Sequence, residues 1–334
     1  MTVEPQFPSA GGRDSVRGMY ESFYLRTFSP REPLGLWIRY TVHKAPGRPP
    51  RGSIWCVAFD ARRGRPFMHK LTSDEVAVPP GGGWIEIGGQ GSFGPGAADG
   101  SCGEASWSLR FDAREPELRH LVPGLLYRTP LPRTKLTSPA PVASFEGTFE
   151  REGGDAIELD GWPGMVGHNW GAEHAERWIW LHGAAFEQRA SAWIDVGLGR
   201  LLIGSRLTPW TASGCLGLDG RRHRLGGLLR AGLTVSEGVG GCTLTLPGRA
   251  GLTVEACVSV PDESAAGWRY AGVGRDQDHE HDVVNCSVAG LELNVRRPGA
   301  PAIALSSAHG GAYELGMRER DHGVPIAPFP DGSR

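Results

Sequence analysis

The densest group of protonatable and aromatic side chains lies between Gly164 and Gly183, which reads GMVGHNWGAEHAERWIWLHG. Three side chains in it could give or take a proton, and they are the candidate catalytic residues: His168, Glu173 and His174. The neighbouring candidates for ligand binding are Asn169, Trp170, Trp178, Trp180 and His182. Any one of these residues is equally compatible with a structural role, since a buried Trp or His needs only a packing or hydrogen-bond partner.

Acidic groups beside indole rings suit a particular kind of reaction. An alkene of a hydrophobic metabolite can be protonated, and the faces of aromatic rings then stabilise the cation. Capture of that cation by water or by an internal hydroxyl gives hydration or cyclisation. The same cavity could serve a pericyclic reaction in which Asn169 or Arg39 polarises a carbonyl. A carrier of a lipid-like molecule needs only the cavity, and a structural protein would fill it with core, so the residue pattern leaves these classes open.

Two elements must position these residues. Glycines at 164, 167 and 171 predict a kinked connection over residues 164–173. The alternation over residues 177–183 predicts a strand with Trp178, Trp180 and His182 on one face. We therefore predict a domain boundary here, with an N-terminal domain of residues 1–172 and a C-terminal domain of residues 173–334. Ligand sites are common at such junctions.

Two runs near the N-terminus supply further candidates. Residues 34–44 alternate between an apolar face and a mixed face that carries Trp37 and Arg39. These two residues bind a ligand if the mixed face borders a cavity, and they are ordinary surface if it faces solvent. Glu21, on the preceding run, is a further acid, and its competing role is to pair with Arg26 or Arg39.

Composition predicts the fold class. Fifty Gly and 26 Pro are spread between short apolar runs over 334 residues, and about twenty of these runs are candidate strands. This pattern is typical of an all-β protein, here with two successive antiparallel barrels or sandwiches. Residues 121–141 contain five prolines and are predicted to wrap around a sheet rather than lie in one.

Several function classes are disfavoured. A net charge of −2 gives no overall electrostatic attraction to nucleic acid or to an anionic membrane. The first residues do not resemble an export signal and no apolar run could span a membrane, so a cytoplasmic protein with reduced thiols is expected. The sequence lacks a GxSxG elbow, an HExxH motif and a dinucleotide-binding unit, so no cofactor is expected. Asp276–Asp282, DQDHEHD, could hold a divalent ion but lacks the spacing of a calcium loop, and no metal site is assigned.

Five blocks together resemble a known superfamily: GMYESFYLRTF, LGLWIRYTV, LPRTKLTSPAP, the 164–183 stretch and GAYELG. In order from Gly18 to Met317, they are similar to the lipocalin-like superfamily of hydroxyneurosporene synthase (carotenoid 1,2-hydratase), tocopherol cyclase and AttH-like proteins. His168, Asn169 and Trp170 match its most specific block. The resemblance implies two lipocalin-like β domains, a hydrophobic isoprenoid or polyketide-type substrate and no redox cofactor. Fungal relatives include intramolecular Diels–Alder cyclases, so the fold does not fix the reaction.

The sequence thus predicts a cofactor-independent hydratase or cyclase for a hydrophobic, alkene-containing metabolite. The cavity is expected near the domain junction, with His168 or Glu173 as proton donor. The alternative is a non-catalytic carrier of a lipid-like small molecule.

Overall fold

The structure is a computed structural model, and it describes residues 3–9, 18–227, 230–273 and 280–326. These residues form 24 β-strands, with short 3-10 turns at Phe7–Ser9, Gly124–Arg128 and Arg249–Gly251. The predicted all-β fold class, with two antiparallel β domains, is confirmed. Within the described residues, no helix is long and apolar enough to cross a membrane.

The strands fall into two consecutive groups of twelve. The first group is β1 (Met19–Phe28), β2 (Leu34–Lys44), β3 (Arg51–Asp60), β4 (Phe67–Ser73), β5 (Val76–Ala77), β6 (Ile85–Ile87), β7 (Gly91–Gly94), β8 (Ala97–Cys102), β9 (Ala105–Ala113), β10 (Leu118–Arg119), β11 (Thr134–Arg151) and β12 (Ile157–Gly171). The second group is β13 (Arg177–Phe186), β14 (Arg189–Arg200), β15 (Leu202–Ile203), β16 (Arg206–Leu207), β17 (Thr211–Leu218), β18 (Arg221–Gly226), β19 (Thr234–Gly238), β20 (Gly241–Pro247), β21 (Thr253–Ser259), β22 (Ala266–Tyr270), β23 (His281–Arg296) and β24 (Ile303–Met317).

Each group builds one large antiparallel sheet. The first sheet has the order β4-β3-β2-β1-β12-β11-β9-β8-β7-β6-β5, with β10 beside β11. The second has the order β18-β17-β14-β13-β24-β23-β21-β20-β19, with β22 beside β23, and β15 and β16 form a separate hairpin. One sheet is a nearly closed barrel and the other a half-barrel. The chain changes sheet between Gly171 and Arg177, in the predicted boundary region, while the division into domains stays a prediction.

The predicted kink over residues 164–173 is wrong for most of its length, because residues 164–171 are the regular end of β12. They pair with β1 from Gly164 opposite Thr27 to Gly171 opposite Tyr20. A Cβ at Gly164 or Gly171 would collide with a neighbouring backbone carbonyl. These glycines therefore serve close packing rather than a bend.

Only part of the proline-rich segment, residues 121–141, lies outside the first sheet. Residues 121–133 lie outside the first sheet as predicted, but β11 begins at Thr134 and contains Pro139 and Pro141. The ladder between β11 and β12 shifts register between Thr137 and Ala140 and again before Ala143. Bulges of this kind accommodate prolines, which cannot donate to a ladder.

The two faces of β1 belong to different environments. Phe23 and Leu25 point into the core of the first sheet. Tyr20 and Tyr24 point to the other face, because side chains alternate along a strand. Tyr24 contacts Trp180 of the second sheet there, with ring centroids 5.5 Å apart. The space between the sheets is therefore lined by this second face of β1 and by its neighbours on β2 and β12.

Candidate active site

His168 lies in the core of the first sheet and not between the sheets. Its Nε2 is 2.7 Å from Glu21 Oε1, and both side chains are buried. The imidazole is stacked between Phe23, at 4.5 Å, and Trp170, at 4.6 Å between ring centroids. His168, Glu21 and Trp170 are thus brought together, as cross-strand neighbours on β1 and β12.

Glu21 fastens the N-terminal segment to this core. Its carboxylate accepts hydrogen bonds from the backbone N–H of Gln6, at 2.9 Å, and of Phe7, at 2.7 Å. It pairs with neither Arg26 nor Arg39, so the competing role predicted for it is wrong. Three hydrogen-bond partners surround one buried side chain, so the Glu21 oxygens are fully used by the fold.

Glu173 lies apart from this pair, in the connection between β12 and β13. Its carboxylate forms an ion pair with Arg133, and about a third of its side chain is exposed. Its backbone carbonyl accepts a hydrogen bond from Thr134 Oγ1 at 2.6 Å. The two predicted proton donors, His168 and Glu173, therefore do not share one site.

His174 lies on the opposite side of the first sheet from His168. Its ring stacks on Tyr20 at 4.1 Å and on Trp178 at 5.6 Å. Burial lowers the pKa of His174 well below its usual value, and the nearby His281 and Arg39 lower it further. The imidazole is therefore neutral near pH 7, where it can accept a proton.

Glu314 and Asn285, which the sequence did not single out, lie beside Trp178 and are linked to it by hydrogen bonds. The Trp178 indole N–H donates to Glu314 Oε1 at 2.8 Å. Asn285 Nδ2 donates to Glu314 Oε2 at 3.4 Å. Glu314 and Trp178 are both partly exposed, so solvent reaches this point. The GAYELG block contains Glu314, but nothing in the sequence places it beside the central tryptophans.

Arg39 completes the group from the first sheet. It donates to Ser22 Oγ at 2.7 Å, and its guanidinium lies 4.4 Å from the centroid of the Tyr270 ring. The mixed face of β2 therefore faces the second sheet rather than solvent, while ligand binding by Trp37 and Arg39 stays a prediction. Asn169 belongs to this face, since it pairs across the ladder with Ser22.

Six residues form what we call the inter-sheet cluster: Arg39, Asn169, His174, Tyr270, Asn285 and Glu314. Among the described residues, four of its buried polar atoms have no hydrogen-bond partner: Arg39 Nε, Asn169 Oδ1, Tyr270 Oη and Asn285 Oδ1. Buried polar atoms are nearly always paired in folded proteins. The cluster thus holds one donor, two acceptors and a hydroxyl group, which can donate or accept, that the fold itself does not use.

The remaining aromatic candidates lie deeper and pack or fasten the two sheets. Trp37 packs against Trp268, with ring centroids 5.9 Å apart. Trp180 donates its indole N–H to the buried carboxylate of Asp195 at 3.1 Å. That carboxylate also accepts from Ser138 Oγ, at 2.5 Å.

His182 also joins the sheets. It donates from Nε2 to the carbonyl of Pro141 at 2.9 Å, and its Nδ1 accepts from Arg26 at 3.2 Å. Burial, followed by the charge of Arg26, lowers the pKa of His182 to about 4. Both ring nitrogens are used, so His182 has no group left for a ligand.

The proposed metal-ion segment is described only in part. Residues 276–279 lie outside the described residues, so the possibility of a metal there stays untested. Asp282 is described, and its carboxylate is bound by Arg269 at 2.8 Å, by Arg320 and by His322 at 3.2 Å. Among the described residues, no group of three or more potential ligands could hold an ion.

A separate concavity of about 720 Å³ lies on the second sheet, over β20, β21, β23 and β24. Hydroxyl, amide and carboxyl side chains supply much of its wall, among them Thr243, Glu255 and Glu292. It contains none of the residues above. We place the candidate site in the inter-sheet cluster because it combines aromatic side chains with several buried polar atoms that lack a hydrogen-bond partner.

Several solved structures match this chain, among them three that each cover most of its length. A crystal structure of CghA with Sch210972 matches with a TM-score of 0.60 and 11% identity, covering 90% of this chain and 88% of that one. A putative AttH from Nitrosomonas europaea matches with a TM-score of 0.53 and 13% identity, covering 96% and 98%. Kievitone hydratase from Nectria haematococca matches with a TM-score of 0.51 and 11% identity, covering 92% and 91%.

No family model and no curated protein matches the sequence. At identities of 11% to 13%, these matches show a common fold and do not show a common site. The chain has the fold that these three structures share, and its resemblance to the lipocalin-like superfamily that includes the AttH-like proteins is confirmed at the level of the fold.

Proposed function

We propose that this protein is a cofactor-independent enzyme that adds water to, or closes a ring in, a hydrophobic alkene-containing metabolite bound at the inter-sheet cluster. One observation carries the proposal. Arg39 Nε and Asn285 Oδ1 are buried and unpartnered within a group of aromatic rings. The fold supports it, because it is shared with a structure named as a hydratase and with one solved with a small molecule, Sch210972.

The cluster is suited to an apolar guest that carries an oxygen. Tyr20, Tyr24 and Trp178 supply ring faces for the hydrocarbon. Arg39 Nε–H is a fixed donor for a carbonyl or hydroxyl oxygen of the substrate. It lies in a buried setting, where such a hydrogen bond is stronger than in water. Polarising a carbonyl conjugated to the alkene would activate the alkene toward attack.

Proton transfer is assigned to His174, one of the three predicted catalytic residues. Its lowered pKa keeps the ring neutral, so it accepts a proton from the attacking water or hydroxyl and then returns that proton to the alkene carbon next to the polarised carbonyl. The Glu314 side chain stabilises the positive charge that develops on His174 when it takes up the proton. Burial raises the pKa of Tyr24 well above its usual value, so its hydroxyl stays protonated and can donate a hydrogen bond.

Incubation of the purified protein with 2′-hydroxychalcone, an apolar compound whose alkene is conjugated to a carbonyl, followed by liquid chromatography and mass spectrometry, tests the proposal. A mass gain of one water identifies hydration, and a retention shift at constant mass identifies cyclisation. His174→Gln should reduce turnover by about a hundredfold or more, the range of general acid–base catalysis. The matched control is His168→Gln, which changes a histidine on the other face of the same sheet.

Two results would contradict this assignment. Loss of turnover in a folded His168→Gln variant, with His174→Gln active, would move the site into the core of the first sheet. Tight binding of apolar compounds without conversion of any would favour the carrier instead.

A further inference from the structure

Two loops carry nearly all of the exposed large apolar side chains. Among the described residues, eight large apolar side chains are exposed, and seven of them lie in residues 122–131 and 201–207. We call these segments the apolar loops. Their seven exposed residues are Val122, Leu125, Leu131, Leu201, Leu202, Ile203 and Leu207, and the eighth, Val78, lies elsewhere. Concentration of exposed apolar residues in this way marks an interaction surface.

Both apolar loops border the connection between the two sheets, residues 172–176. On one side, the backbone N–H of Ala172 donates to the carbonyl of Arg133 at 3.1 Å. On the other, the N–H of Glu176 donates to the carbonyl of Arg200 at 2.9 Å. The first loop ends where β11 begins, and the second starts where β14 ends. They therefore flank the connection that carries His174.

The four strand ends at this position meet at the same end of the molecule. Gly171, the end of β12, pairs with Thr134, the start of β11. Arg177, the start of β13, pairs with Arg200, the end of β14. Both loops therefore extend beyond that end, beside the partly exposed side of the inter-sheet cluster.

The local charge differs from that of the whole chain. Residues 121–135 contain three basic residues and no acidic one, and residues 200–210 contain two arginines and no acidic residue. Glu173 neutralises Arg133, but Arg128 and Arg206 lie exposed within the loops. The two loops therefore carry exposed positive charge, although the net charge of the whole chain is −2.

Amphipathic aromatic side chains accompany these charges. Tyr127 and Trp210 are partly exposed at the bases of the loops. The Arg200 guanidinium lies 5.9 Å from the centroid of the Trp210 ring. Apolar tips, basic residues and Tyr or Trp at their base are the features of segments that lie in a membrane interface.

We propose that the two apolar loops dock this end of the protein onto a lipid bilayer with anionic headgroups. The aliphatic tips enter the boundary of the acyl chains, and Arg128 and Arg206 contact phosphate groups. Docking brings the partly exposed side of the inter-sheet cluster to the membrane surface, where a hydrophobic metabolite dissolves. A second copy of the chain fits this surface less well, because a two-fold contact would bring like-charged loops together.

Co-sedimentation with vesicles tests the proposal, using phosphatidylcholine alone and phosphatidylcholine mixed with phosphatidylglycerol. The wild-type protein should bind the mixed vesicles more tightly. The double variant Leu125→Ser with Ile203→Ser should lower the partition coefficient about tenfold or more on both. Arg128→Gln with Arg206→Gln should lower it about tenfold on mixed vesicles only. Val78→Ser, at an exposed apolar residue that follows edge strand β5, is the matched control and should bind like the wild type.

The proposal would be overturned if the Leu125→Ser, Ile203→Ser variant bound vesicles as tightly as the wild type. It would also be overturned if the wild-type protein did not sediment with vesicles. If light scattering showed that the wild type is a dimer and this double variant a monomer, the loops would instead form an interface with a second copy of the chain. The result is independent of the proposed activity, because turnover of a detergent-dispersed substrate needs no docking. Since the changed residues are exposed, urea unfolding should be unaltered in every variant.

Discussion

The two faces of β1 hold two polar groups of opposite character. On one face, the Glu21 carboxylate is bound by His168 and by two backbone N–H groups, and its side chain is fully buried. On the other face, the inter-sheet cluster leaves buried atoms of Arg39 and Asn285 without partners. A satisfied group contributes to stability and has little left for a ligand. An unsatisfied group costs stability and is retained where function uses it.

The largest effect on stability is expected from Glu21→Ala. The substitution leaves the N–H groups of Gln6 and Phe7 and the imidazole of His168 without their shared acceptor. We expect the free energy of unfolding to fall by about 3–5 kcal/mol, as when one partner of a buried polar network is removed. Urea denaturation measures the change.

Glu314→Gln is the matched comparison in the inter-sheet cluster. It keeps the shape of the side chain at a partly exposed position, so the free energy of unfolding should change by less than about 1 kcal/mol. Equal losses in the two variants would remove the distinction between the two faces.

A slightly smaller effect is expected from pH. His182 has a pKa of about 4 in the folded protein, against about 6.5 when unfolded. Between these values the unfolded chain binds more protons, so stability is complete above about pH 6.5 and decreases as pH falls toward 4. The loss from His182 is about 3 kcal/mol. His174, whose pKa is also lowered, acts in the same direction.

His182→Asn checks this contribution. The variant should be less stable at neutral pH, because it loses the hydrogen bonds to Pro141 and Arg26. Its stability should also depend less on pH between 4 and 6.5. An unchanged pH profile, measured by urea denaturation across that range, would show that His182 is not the titrating group.

The smallest effect should come from Asn169→Leu. Because Asn169 Oδ1 is buried without a partner, replacing it with an apolar group should leave stability unchanged or raise it by up to about 1 kcal/mol. Binding of an oxygen-containing apolar ligand should weaken in the same variant. Asn294→Leu is the control, because Asn294 donates to Glu255 at 3.2 Å and its loss should destabilise. A clear loss of stability in Asn169→Leu would mean that its amide is already satisfied.

Much of the fold could be predicted from local pattern. Alternation over residues 34–44 and 177–183 correctly predicted β2 and β13, since a half-buried strand repeats every two residues. The glycines of β12 led to the wrong prediction of a kink. Close packing and a bend both favour glycine, and only the neighbouring residues in three dimensions show which of the two applies. Pro139 and Pro141 led to the wrong prediction that their segment lies outside the sheet, since bulges allow proline within a strand.

The candidate site was less accessible to prediction because it is assembled by distant pairings. Phe23 lies opposite His168 on β1 and β12, which assigns His168 to the core of the first sheet. Trp180 lies opposite Glu314 on β13 and β24. No spacing rule links residues so far apart in the sequence. His168, Glu173 and His174 are therefore close in sequence but lie in different parts of the structure.

The central claim is that an apolar guest binds between the sheets and not inside the first one. Fluorescence titration with cis-parinaric acid, a conjugated polyene with a carboxylate, tests it most directly in three variants. We predict that Arg39→Met and His174→Gln raise the dissociation constant by about tenfold or more, whereas His168→Gln in its folded form leaves it within about twofold of the wild type. Weakened binding only in His168→Gln would contradict the account.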